Sequence, residues 1–151
     1  MNHKYLLDTN ILLRTVDTSS PQYNLVATAI TTIFQANHEC FITPQNIIEF
    51  WVVATRPLEV NGLGWNCQET SKKIDQLISQ FTLLQETPEI FANWLKLVTE
   101  YSIKGKRTHD IRLLAAMQFY QISHLLTFNP SDFIALPEIL IIHPQSIKNI
   151  Y

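Results

Sequence analysis

Glycine is scarce in this chain, at three of 151 residues, and no GxxxxGK(S/T) run occurs. Nucleotide hydrolysis through a phosphate-cradling loop is therefore unsupported. Cysteine is scarcer still. Cys40 and Cys67 are too few and too unpatterned for a zinc site or a disulfide framework, so a reducing, cytoplasmic setting is expected. No apolar run approaches the ~20 residues that a membrane span needs. Asp8 interrupts the short apolar trio near the start before a signal-peptide core forms. An excess of either charge is missing too: 11 basic against 13 acidic residues leave a formal net charge of −2. No general basic field advertises nucleic acid, and none excludes it. Internal repeats, low-complexity tracts and Gly/Ser linkers are absent, so residues 1–151 are expected to form one domain.

What is present is ordinary globular material, 46% hydrophobic and 16% charged. Lys4 to Asp8 reads as a short buried strand closing on the polar turn Asp8-Thr9-Asn10, and a short helix follows from Asn10 to Thr15. Pro21 suits the first turn of a longer helix towards Asn37. Cys40-Phe41-Ile42 reads as a second strand, and Thr43-Pro44 caps a helix to about Arg56. The segment from Arg56 to Trp65, holding Gly62 and Gly64, is the expected exposed and mobile loop. Ile74, Leu77, Ile78 and Phe81 mark a helix from Cys67; Leu83-Leu84 suits a strand; Phe91, Trp94, Leu95 and Val98 mark a helix from Pro88. Thr108 to Ile122 is a helix apolar almost all round, hence buried. Leu125 to Phe128 and Ile139 to Ile142 look like two more buried strands. Short apolar strands separated by helices predict a three-layer α/β/α sandwich around a mostly parallel sheet, with ligands bound beyond the strands' carboxyl ends.

Four acids stand where such a site would lie. Asp8 follows Tyr5-Leu6-Leu7 directly. Glu49 interrupts the apolar run Ile47-Ile48-Glu49-Phe50-Trp51-Val52. Asp110 opens the buried helix at Asp110-Ile111-Arg112-Leu113-Leu114, and Asp132 closes Thr127-Phe128-Asn129-Pro130-Ser131-Asp132. Their order and spacing over nearly the whole chain resemble the PIN-domain family, which includes the VapC-type toxins of bacterial toxin–antitoxin pairs. The most specific pieces are the opening Leu-Leu-Asp-Thr-Asn-Ile-Leu and the later Thr-x-Asn-x-x-Asp-Phe. Many members carry aspartate at the position that aligns with Asn129. Here Asn129 is followed by Asp132 as the fourth carboxylate.

Singly, each acid has a structural explanation. Asp8 suits an Asx-type turn. Gln45, Glu49 and Arg56 share a helical face that suits a solvated stripe. Asp110 complements a helix dipole at roughly 0.3–1 kcal/mol, and Asp132 suits a turn or cap. Jointly, four such coincidences are less economical than one acidic site. Clustered carboxylates raise one another's pKa unless a cation neutralises them, and oxygen-only ligands select Mg²⁺ or Mn²⁺.

The resemblance implies a metal-dependent endoribonuclease within a PIN-like domain spanning 1–151, leaving a 5′-phosphate and a 3′-hydroxyl. Asp8 and Asp110 would contact the ion, Glu49 and Asp132 would complete the catalytic set, and Asn10, Thr127 and Asn129 would support them. The ion would activate a water and neutralise charge building on the phosphate. Expected partners are an RNA substrate, a cognate antitoxin protein and a second copy of the chain, with no membrane. Arg14, Lys104, Lys106, Arg107 and Arg112 are the candidate phosphate contacts, and Trp65 or Tyr101 could stack on bases, although core or loop packing explains both equally. The alternative within the same fold is a catalytically weakened module that binds protein or RNA, for which Asn129 speaks. His109-Asp110 with His38 and Asp132 invites an all-helical HD phosphohydrolase, which the strand-like runs oppose. Asn10 stands where a HAD-type phosphatase needs its second acid. The five histidines are otherwise scattered and need no role.

Overall fold

Every strand among the described residues runs the same way. The computed structural model describes residues 2–151 and holds five parallel strands in the order β3-β2-β1-β4-β5. They are β1 (Lys4–Leu7), β2 (Glu39–Ile42), β3 (Thr82–Leu83), β4 (His124–Leu126) and β5 (Leu140–Ile142). The helices are α1 (Thr9–Val16), α2 (Tyr23–Gln35), α3 (Pro44–Thr55), α4 (Cys67–Gln80), α5 (Pro88–Glu100) and α6 (Arg107–Tyr120). Register pairs Leu6 with Phe41 on one side and Leu7 with Leu126 on the other.

Alternation along the strands sorts side chains into two cores. Tyr5, Leu7, Cys40, Ile42 and Leu126 enter one, against Ile11, Ile33, Phe50 and Leu77 of α1 to α4. Leu6 and Leu125 enter the other, against Ile90, Leu97, Ile111, Leu114 and Met117 of α5 and α6. Helices therefore cover both faces, which is the three-layer arrangement expected. No helix among the described residues is long and apolar enough to cross a membrane.

Local chemistry sets the element ends. Thr43 caps α3 in a reciprocal pair: its hydroxyl accepts from the Asn46 amide at 3.1 Å, and Asn46 Oδ1 accepts from the Thr43 amide at 2.8 Å. Pro44 occupies the first turn, where a missing N–H costs nothing. Several expectations need correcting at the margins. α2 begins at Tyr23, past Pro21, because residues 20–22 close a turn in which the Tyr23 amide reaches the Ser20 carbonyl. β5 is an edge strand, so Leu140 stays 53% exposed rather than buried. Phe119 on α6 is likewise exposed.

The Arg56–Trp65 segment is tied down rather than loose. Amides of Gly62, Leu63, Gly64 and Trp65 donate to carbonyls of Pro57, Val53, Arg56 and Ala54, folding the loop back on the end of α3. Trp65 packs edge-on to Phe50 with ring centroids 6.4 Å apart, which settles it as a packing residue. The loop's tightest point is Gly62, where an added Cβ would lie 1.9 Å from the Arg56 carbonyl oxygen.

Three of the five histidines gather at the amino end of the sheet. His3 lies 4.8 Å from His38 and 4.6 Å from His124, ring centre to ring centre. The His3 amide donates to His38 Nδ1 at 3.0 Å, and the Tyr5 and Tyr151 hydroxyls meet beside them. Burial pushes His124 down to about 4 and lowers His38 too, with His3 adding to both. His38 precedes β2 while Asp8 follows β1, so His38 sits at the opposite end of the sheet from the acids. That separation and the parallel sheet rule out the all-helical HD reading.

Gly62→Ala is expected to destabilise the chain by roughly 2 kcal/mol, because a backbone carbonyl must move to admit the methyl group. Urea unfolding, compared with the wild type at constant m-value, measures it.

Candidate active site

β1 and β4 are the pair about which the strand order reverses, and crevices beyond such a pair collect ligands in open α/β sheets. Asp8 stands at this point. Its backbone amide donates to the Leu126 carbonyl at 3.0 Å, stitching it to the end of β4. Its side chain caps α1 by accepting from the Thr9 amide at 2.8 Å, and it accepts from the Thr127 hydroxyl at 2.8 Å through the other oxygen. Thr127 is fully buried and its hydroxyl oxygen accepts from the Asn129 amide at 3.0 Å. The turn after β4 thus aligns the carboxylate that ends β1. Asn10 Oδ1 receives the Phe128 amide at 3.4 Å, a longer tie across the same two loops.

Glu49 arrives from α3. Gln45 Nε2 donates to its Oε1 at 2.7 Å and Thr9 Oγ1 to its Oε2 at 3.3 Å. The Thr9 hydroxyl in turn accepts from Asn46 Nδ2 at 3.2 Å, so the residue that completes the α3 cap also steadies the site. Asp110 lies in the first turn of α6, and Asp132 in the short turn Pro130–Asp132. Glu49, Asp110 and Asp132 line one open cleft of about 1120 Å³, with Asp8 half-buried beside them.

Their proximity registers in proton affinity. Burial raises the Asp8 carboxyl above its ordinary range, the Thr127 and Thr9 hydrogen bonds partly offset this, and the charges of Glu49 and Asp132 add to it. Asp110 is pushed up to about 6, first by burial, then by the charges of Asp8, Asp132 and Glu49, with His109 opposing. All four acids therefore share one electrostatic field. Among the described residues, no three His, Cys, Asp or Glu side chains are gathered ready to hold a metal ion. The donor set of the four acids, oxygen alone, has the chemistry of a hard divalent ion.

The basic residues divide. Lys106, Arg107 and Arg56 line the cleft, and Arg107 Nη2 donates to the Asp132 carbonyl at 3.3 Å. Arg112 lines it too, but its guanidinium is committed to both oxygens of Glu86. Arg14 donates to Gln22 at 3.0 Å, lies over Phe128 and does not line the cleft. Lys104 is exposed outside that set, as are Tyr101 and the Asn129 side chain. The Gln45, Glu49 and Arg56 stripe, which spacing alone assigned to solvent, is one wall of the cleft. Thr9, Gln45 and Asn46 were not legible as site residues. Their only signal was a polar stripe opposite an acid-bearing turn.

The family model for the PIN domain matches residues 5–138, and the chain belongs to that family. No curated protein sequence matches it. Among solved structures it is similar to VapBC2 from Rickettsia felis bound to a fragment of its promoter DNA. That match has 18% identity, covers 93% of this chain and 98% of the other, and has a TM-score of 0.66. VapBC-1 from nontypeable Haemophilus influenzae has 15% identity, with 94% and 98% covered and a TM-score of 0.68. The Mycobacterium tuberculosis toxin VapC20, which cleaves the sarcin–ricin loop, has 10% identity, with 80% and 86% covered and a TM-score of 0.57. At these identities the likeness is one of fold.

An acid whose pKa is raised on folding weakens the fold once ionised: stability falls as pH rises from about 4 through about 6, and the deficit persists above that. Asp110→Asn removes the deficit. Without added divalent ion, its thermal midpoint at pH 7.5 should exceed the wild type's by about 3 °C, on the order of 1 kcal/mol after solvent screening. Near pH 4 the two melts should coincide; a gap unchanged across pH would contradict the assigned cause.

Proposed function

We propose that the chain is a metal-dependent endoribonuclease, the toxin of a toxin–antitoxin pair, acting through Asp8, Glu49, Asp110 and Asp132. One observation carries the reading: Glu49, Asp110 and Asp132 line one cleft at the switch point of the sheet with Asp8 beside it, and the charges of these acids, from four separate segments, act on one another. Asp8 and Asp110, whose carboxyls are both raised by burial and by neighbouring charge, are the direct holders of Mg²⁺ or Mn²⁺. Glu49 and Asp132 complete the negative field around them. When bound, such an ion supplies a polarised phosphate and an activated water, the chemistry of phosphodiester hydrolysis.

The chain's own groups prepare that chemistry. Thr127 and the Thr9 amide fix both oxygens of Asp8. Asn10 and Asn129 brace the loop after β4 that carries Thr127. Lys106, Arg107 and Arg56 rim the acids and would receive backbone phosphates, a role that Arg112, tied to Glu86, would fill only by giving up its partner. RNA as substrate draws support from the sarcin–ricin loop cleavage of VapC20, and an antitoxin partner from the VapBC assemblies of the other two relatives. A homodimer and a cytoplasmic setting belong to the same proposal. So does a PIN-like domain spanning 1–151.

A second reading keeps the fold and removes the catalysis. Asn129, at the position where many members of the family carry an acid, favours a binding module over an enzyme. Calorimetry with Mn²⁺ separates the two, since the module shows no specific ion binding.

Asp8→Asn and Asp110→Asn should each lower Mn²⁺-dependent RNA cleavage at least about 100-fold with melting curves no worse than the wild type's. Full activity in both would remove the proposed site. Lys106→Gln and Arg107→Gln should weaken RNA binding and flatten its salt dependence by roughly 0.7 in log–log slope for each phosphate left without its cation.

A further inference from the structure

Glu49 and Asp110 ride on different helices, and one side chain joins those helices across the cleft. Gln45, in the first turn of α3, uses a single amide nitrogen twice: Nε2 donates to Glu49 Oε1 at 2.7 Å and to the His109 carbonyl at 2.8 Å. His109 immediately precedes Asp110. Among the described residues this is the hydrogen bond that runs between α3 and α6. Both recipients are acceptors with no hydrogen to give, so the amide has one workable orientation. Turned over, it would set an oxygen against a carboxylate and a carbonyl.

That orientation has a consequence on the other side of the amide. Gln45 Oε1 is buried and has no hydrogen-bond partner. An orphaned buried acceptor is unfavourable, and folded chains rarely keep one where it could be avoided. Here it persists because both amide hydrogens are committed to the Glu49–His109 bridge. On the other oxygen Glu49 is held only by the longer Thr9 contact of 3.3 Å, so Gln45 is its principal anchor.

We propose that Gln45 is a positioning residue for the acidic site: its amide sets the separation of Glu49 from Asp110, and with it the affinity of the cleft for a divalent cation. The inference rests on the metallonuclease reading above and deepens it. Gln45 touches neither the substrate nor the reacting atoms. It acts through Glu49 and through the first turn of α6. Residues that orient metal-holding carboxylates from behind commonly change metal affinity about 10- to 100-fold when their hydrogen bonds are removed.

The test compares the wild-type chain with Gln45→Leu, which keeps side-chain bulk and removes both donors, and with Gln45→Ala as a second truncation. Three readouts are taken: Mn²⁺ binding by calorimetry, amide hydrogen exchange over the first turn of α6, and the Mn²⁺ activation constant for RNA cleavage set against KM for RNA at saturating Mn²⁺. The expected result is Mn²⁺ affinity lowered about tenfold or more in both variants, with faster exchange at residues 107–110. The Mn²⁺ activation constant should rise in parallel while KM for RNA moves less than about threefold. Unchanged Mn²⁺ affinity in a wild type that binds the ion overturns the role given to Gln45 and leaves the nuclease reading standing. Equal losses in Mn²⁺ affinity and thermal stability, with exchange raised throughout the chain, also overturn it, since a general structural defect then accounts for both. A wild type that binds no Mn²⁺ and cleaves no RNA removes the nuclease reading itself.

Discussion

Repulsion among carboxylates is the constraint around which this molecule is arranged. Four acids brought into one field cost stability, and the chain accepts that cost at the place where its sheet offers a crevice. The surrounding bonds answer the repulsion by holding side chains still rather than by neutralising them. Thr127 and the Thr9 amide fix Asp8, Thr9 and Gln45 fix Glu49, and the Asn46 amide fixes Thr9. Charge pairing plays a smaller part. The cleft's full ion pair joins Arg112 to Glu86, and neither is among the four acids.

The network is economical because its members also perform ordinary structural tasks. Asp8 caps α1 and Asn46 completes the cap of α3, so the elements that deliver the acids begin with the residues that orient them. A change in either cap is therefore felt in the site before it is felt in the core. Asp8, half-buried at the end of an apolar strand, has a donor on each of its oxygens, and these bonds only partly offset the effect of burial.

Much of this was legible in the sequence, and the rest was not for identifiable reasons. The run Tyr5-Leu6-Leu7-Asp8 reads as a buried strand with an acid at its end, because both faces of a central parallel strand are apolar. Thr43-Pro44 announces a helix start as plainly. Burial at the edges was misjudged because hydrophobicity alone does not say which strand lies outermost, and Leu140 is exposed for that reason. Gln45 and Arg56 looked like a solvated stripe, since a helix's own periodicity cannot reveal that a second helix faces its polar side across a cleft. The gathering of His3, His38 and His124 comes from strand neighbours far apart in sequence. Register, not spacing, brings them together.

That gathering gives the two ends of one short strand opposite temperaments. β1 is four residues long, about 13 Å at ~3.3 Å per residue, with a crowd of imidazoles at its head and a crowd of carboxylates at its foot. As a solution is acidified from about 6.5 towards about 4, the folded His124, and His38 in the same direction, resist the protons that the unfolded chain accepts, and the fold weakens. Across much of the same interval Asp110, and Asp8 in the same direction, take up protons more readily folded than unfolded, and the fold is relieved. The head and foot of β1 thus act as counterweights. Acid tolerance in this protein is a property of their difference, and emptying either end tips it.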